Sequence, residues 1–255
     1  MTVDVKFAES ASEIPVQFEN LQIITNGVPP DQVDKLVAQG EQRGYDTGRQ
    51  AEYDAFWDAY QANGQRNAYR FAFANVGWTD ENFAPKYDII PIVSCGSIFQ
   101  ESGITDLVGC LIKNGVTLNT SGVTSFLQAF QSSSIRHVPT LDMRNATSNN
   151  NYMFGSVCKV ETIDKLIVSE NTHFSNTTFD NASYLKNITF EGEIGMSINF
   201  KWSPLTTESV QSIIDHLKDL TGLTAQTLTL KAIVGANLTD EQKATITAKN
   251  WTLVY

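Results

Sequence analysis

The sequence predicts an α/β protein. Its centre is a short solenoid of similar coils, with an N-terminal strand plus helix extension and α/β caps at both ends. Three observations carry that expectation. Between Ser94 and Phe200, four segments fit one template, a Phe followed by a small residue and then by two aliphatics three apart. Their rings, Phe99, Phe130, Phe154 and Phe179, recur at intervals of 31, 24 and 25 residues, the period of a repeat unit and too long for a heptad. The segments on either side carry helix and strand patterns in place of the template.

The repeats come first because everything else flanks them. SIFQESGITDL supplies Phe99, Ile104 and Leu107, and QAFQSSSIRHV supplies Phe130, Ile135 and Val138. YMFGSVCKVETI supplies Phe154, Val157, Val160 and Ile163, and TTFDNASYLKNI supplies Phe179, Ala182, Leu185 and Ile188. One such coil cannot bury its own apolar edge. Stacking at about 4.8 Å per step buries it, with the rings in one ladder and the aliphatic pairs in two more. The template resembles the BspA-like leucine-rich repeat, whose unit reads Phe, x2, Cys or small, x2, Leu, x2, Ile. YDAFWDAYQANG at 53–64, GWTDENFAPKYDI at 77–89 and the C-terminal ending are similar to BspA-like proteins encoded by gut bacteria and their phages or prophages. The resemblance implies a four-copy leucine-rich-repeat solenoid over 93–200.

In chain order, residues 1–28 are expected to be an extended docking segment, because Val3, Val5 and Phe7 alternate with Asp4 and Lys6. A helical segment over 29–64 opens at Pro29-Pro30-Asp31 and stops at Asn63-Gly64. Within it Gly40, Gly44 and Gly48 fall four apart on one stripe, where another backbone can approach, which marks them as candidate oligomer or docking positions. A helix broken near Gly44 fits the same residues. Residues 65–92 are an aromatic cap, the natural cover for an open solenoid end. Over 201–255 a closing α/β unit is expected. Thr206-Thr207-Glu208 opens a helix ending at Gly222, TLTL at 227–230 is a strand, Thr239 to Gln242 form a capping box, and WTLVY ends the chain as a strand.

The net charge of −10 argues against a nucleic-acid partner. The excess lies in residues 1–90, with 14 acids against 7 bases. Cys95, Cys110 and Cys158 form no CxxC and have no His at ligand spacing, so neither disulfides nor zinc are indicated. MTVDVKFAES lacks the pattern of a secretory signal, and no apolar run is long enough to span a membrane. The Asn-x-Ser/Thr triplets are therefore read as turn chemistry.

No nucleophile, phosphate-loop or zinc-protease motif occurs, and His137, His173 and His216 are scattered. Glu191 and Glu193 are the one carboxylate pair that could flank a glycosidic bond. The expected working surface is polar and repeated instead: Ser132, Ser133, Asn149, Asn150, Asn151, Asn171 and Asn176 are candidates for a ligand face along one edge. No enzyme activity and no cofactor are expected. The reading is a phage virion structural and adhesion protein of tail, baseplate or head appendage. It would contact other virion proteins through 1–64, self-associate, and recognise a host glycan or protein without inserting in a membrane. A bacterial cell-surface adhesin is the alternative, and a carbohydrate-active enzyme a remote third.

Overall fold

The structure is a computed structural model that describes residues 73–74, 77–91 and 94–255. The segments 1–28 and 29–64, with Gly40, Gly44 and Gly48, lie outside the described residues. In order, the elements are α1 (Leu107–Asn114), β1 (His137–Val138), β2 (Leu141–Asp142), β3 (Thr162–Val168), β4 (Asn187–Gly192) and β5 (Ile198–Phe200). Then come α2 (Thr207–His216), β6 (Gln226–Leu230), α3 (Ala232–Ala236), α4 (Asp240–Ala248) and β7 (Trp251–Val254). The fold is mixed α/β, with two parallel sheets among the described residues, neither closed into a barrel.

In the first sheet Thr162 pairs with both His137 and Asn187, and Leu166 with both Leu141 and Phe190. β1 and β2 therefore share one edge of β3, and β4 takes the other. Pro139 lies between β1 and β2 and has no N–H to give to the ladder, which accounts for the interruption. The second sheet runs β5-β6-β7, with Phe200 opposite Leu230 and Leu228 opposite Leu253.

The core is organised by one column of rings. Phe99, Phe130, Phe154 and Phe179 stack at centroid distances of 5.4, 5.3 and 5.3 Å, close to strand spacing. The column is longer than the sequence template suggested. Phe73 adds a ring 5.3 Å from Phe99, and Phe200 adds one 4.5 Å from Phe179. Trp78 and Phe83 pack edge-on against Phe73. Phe200 and Ser203 keep the Phe-x2-small spacing, and the Ser203 hydroxyl donates to the Ala182 carbonyl at 3.1 Å. The twelve repeat positions Phe99, Ile104, Leu107, Phe130, Ile135, Val138, Phe154, Val160, Ile163, Phe179, Leu185 and Ile188 are all at most 1% exposed.

One assignment is corrected. Val157 does not fill the small position of the third copy. It is 65% exposed at φ 66, and Cys158 fills the position, 3.8 Å from Ser133 in the layer before. The third copy thus carries its extra residue before the small position, whereas the fourth carries it after Ala182. Around the rings the backbone repeats as well. Glu101, Ser132, Ser156 and Asn181, each two residues beyond a ring, all have positive φ.

Helices complete the fold where strands stop. α1 was not expected; it opens on the Asp106 carboxylate, which accepts from Gly109 N at 2.9 Å, and closes on Gly115 at φ 65. The preceding loop is clamped to it, because Asp80 accepts from the Thr105 amide and hydroxyl and from the Asp106 amide. α2 opens at Thr206 as expected, but it ends at Leu217, which turns extended, and not at Gly222. α2 lies along the free edge of β4, where the Ser209 and Ser212 hydroxyls each accept, at 2.9 Å, from the Ile188 and Phe190 amides. α4 begins with a reciprocal capping box between Thr239 and Gln242.

Candidate functional site

Side chains alternate along a strand, so one face of the first sheet is buried by Ile163, Leu166, Ile188 and Phe190 and the other is left to solvent. A bulge breaks the alternation. Between the pairs Ile163–Ile188 and Leu166–Phe190, β3 has two residues, Asp164 and Lys165, opposite Thr189 alone. Placed side by side, the two reach in opposite directions. The Asp164 carboxylate meets His137 Nε2 at 2.5 Å on β1, and the Lys165 ammonium meets Glu191 at 2.8 Å on β4. Thr189 donates its hydroxyl to the Asp164 carbonyl, which ties the bulge to β4.

The same face continues above and below. Glu161 sits between Arg136, at 3.2 Å, and Lys186, at 3.8 Å. The Arg144 guanidinium forks onto Asp142, with contacts of 3.0 and 2.5 Å to its two oxygens. In a chain of net charge −10, this patch carries four Lys or Arg cations on three carboxylates, with Asp164 met by His137.

The ion pairs shift the carboxylates of this face. The hydrogen bond from Lys165 holds the Glu191 carboxyl below its usual range, which is the wrong direction for a general acid. Glu193 is exposed beside it. The bond from Arg144 likewise lowers Asp142, outweighing partial burial. Burial pushes the thiols up, Cys110 to about 11 and Cys158 to about 11, and Cys95 further, so none is a ready thiolate. Among the described residues no group of three or more His, Cys, Asp or Glu could hold a metal ion. No helix among them is long and apolar enough to cross a membrane.

The polar positions expected to form one edge divide in two. Ser132 follows its ring by two residues, whereas Asn149 precedes the next ring by five, so they stand on different sides of the column. Ser133 and Asn150 are corrected to interior positions, 1% and 0% exposed. Asn150 is a cross-layer bracket: its Oδ1 accepts from Phe126 N at 2.8 Å, and its Nδ2 donates to the Ala146 and His173 carbonyls at 3.0 and 2.7 Å. Ser132, Asn149, Asn171 and Asn176 are exposed and Asn151 half-buried, yet several of these groups are spent on neighbouring layers. The Ser132 hydroxyl donates to the Ser156 carbonyl, and the Asn149 carbonyl accepts from Ser125. The charged sheet face was missed because its members come from three repeats, and only their register brings them together. No protein-family model, no curated protein and no solved structure matches the chain.

Proposed function

We propose that this chain is a non-enzymatic adhesion and structural protein of a phage virion, built on a BspA-like leucine-rich-repeat solenoid. The observation that carries the recognition reading is the charged sheet face, where Asp142, Glu161, Asp164 and Glu191 each have a basic partner. The ring column and the parallel pairing of residues 25 apart support the repeat reading, since each layer then meets only its neighbours. The virion assignment rests on the resemblance to gut phage proteins. Residues 1–64 would mount the protein on other virion proteins and on copies of itself. The sheet face would meet a polar host glycan or protein.

Two measurements test this. Mass spectrometry of purified particles from an induced lysogen carrying the gene should find the chain in stoichiometric amount, and its absence would overturn the virion assignment. Labelled full-length protein should adhere to host cells. Lys165→Glu should abolish that adhesion and the paired swap with Glu191→Lys should restore part of it; adhesion indifferent to both would remove the sheet face from the reading.

A further inference from the structure

The two sheets end differently. The outer edge of β4 is closed by the Ser209 and Ser212 hydroxyls on α2. β7 is the last strand of the order β5-β6-β7, and among the described residues no backbone or side-chain group bonds to its outer edge. Nothing in the strand discourages pairing. Trp251 to Tyr255 holds no charged residue and no Pro, and its pairs with β6 run without a register shift, so it presents a regular edge of the kind that takes up a further strand. Its end is also fixed. The Tyr255 ring lies on Gly235 so closely that a Cβ there would collide with it, which holds the chain end against α3. Along this strand Leu253 is half-buried against the core, and Val254 and Tyr255 are 47% and 52% exposed.

The sequence supplies a strand pattern of matching make-up, outside the described residues. Val3, Val5 and Phe7 alternate with Asp4 and Lys6, giving one apolar and one charged side over five residues, against five in β6 and four in β7. Laid beside β7, the apolar side would continue the row of Trp251 and Leu253 over the core. Asp4 and Lys6 would then face solvent, as suits a strand that ends a sheet. A lone strand of this pattern has no cover for its apolar side. The position of β7 says which copy supplies it. The chain enters the described residues at Phe73, the first ring of the column, and β7 stands about 35 Å away, beyond five ring steps and two strand spacings. A copy stacked on the far end brings its own N-terminal chain to β7, whereas the first copy's segment has to run back along the whole stack. We propose that β7 takes up Val3–Phe7 of a second copy, joining copies head to tail. Such a contact is heterologous, so it builds rings or filaments and not a closed pair. It gives the self-association proposed above its contact and rests on that reading.

The test uses the full chain: light scattering over a concentration series, then crosslinking with a short bis-maleimide. Cys95, Cys110 and Cys158 are buried, so added thiols carry the reaction. Copies bearing Lys6→Cys, mixed with copies bearing Thr252→Cys, should give a covalent dimer that neither gives alone. Val5→Glu sets a charge on the apolar side and should weaken self-association about tenfold or more, while Asp4→Asn should leave it unchanged. Unchanged thermal unfolding of the variants confirms that the fold is intact. A monomer at every concentration overturns the proposal. A dimer from Thr252→Cys alone also overturns it, by pairing β7 with β7, and so does a double variant that links only within one chain. Association that survives Val5→Glu overturns it in favour of the Gly40, Gly44 and Gly48 stripe. The particle assay above reads the virion assignment separately, since a chain absent from particles but crosslinked here loses that assignment and keeps the strand contact.

Discussion

Between Phe99 and Phe179, consecutive layers pair backbone with backbone, while beyond Phe200 helix α2 stands where the next strand of the first sheet would be. The two regions share the ring column and the parallel sense of their strands, so what differs is how an edge is treated. In the repeats, the outward amides of one strand find carbonyls of the next. At β4 they find the hydroxyls of Ser209 and Ser212, which satisfy the donors without offering a new edge. A bare strand edge invites further chains. Stacking is thus stopped here by side chains on a helix.

The largest expected effect lies in the shared column. Phe154→Ala should cost about 3–5 kcal/mol, read from denaturant unfolding, because the ring is fully buried between two others. The loss should appear as one transition, since the column and the serine contacts couple the two regions. A curve that splits in two would show them to be independent. Asn150→Ala should follow at about 2 kcal/mol, as it takes their partner from the Phe126 amide and the His173 carbonyl at about 1 kcal/mol or more each, while the Ala146 carbonyl still accepts from the His173 amide. Ser209→Ala with Ser212→Ala attacks the edge directly and should cost about 1–3 kcal/mol. It should also speed hydrogen exchange at Ile188 and Phe190, and turbidity should appear as the edge opens. Unchanged exchange at those two amides would show that water serves as well as the hydroxyls.

Two smaller effects test the contrast within the repeats. Val157→Asn should raise stability by about 1 kcal/mol, since Asn tolerates the left-handed backbone that Val resists. No gain in melting temperature would place the strain elsewhere. Asp142 gives the pH dependence. Its folded pKa lies below the ordinary 3.8, so its contribution is complete above that value and is lost as pH falls through the folded pKa. Asp142→Asn should therefore flatten the fall in stability below about pH 4, measured by unfolding at stepped pH. An unaltered slope would assign the acid sensitivity to other carboxylates.

Much of the interior was legible from Phe spacing alone, because large rings that recur at a near-constant interval can all be buried by lying over one another. Phe73 and Phe200 escaped that search. Phe200 is followed by Pro204 and a helix; buried Leu205 keeps the first aliphatic, but Glu208 stands where the second would be, and Phe73 lies among aromatics that read as a cap. Val157 was placed wrongly because spacing cannot tell which of two neighbours, Val157 or Cys158, turns inward. The sheet face was least legible. Asp164 and Lys165 share it through a bulge, and periodicity assigns adjacent strand residues to opposite sides. Asn150 shows the converse limit, since a buried and a solvated Asn look alike in a run of three.

The extra residues at Val157 and Tyr184 were absorbed at the corners while Phe154 and Phe179 kept their 5.3 Å spacing. Length and chemistry at the rim are thus uncoupled from the ring column, much as the teeth of a key vary while its shaft does not. A chain built this way can change its rim by small insertions and keep its interior intact.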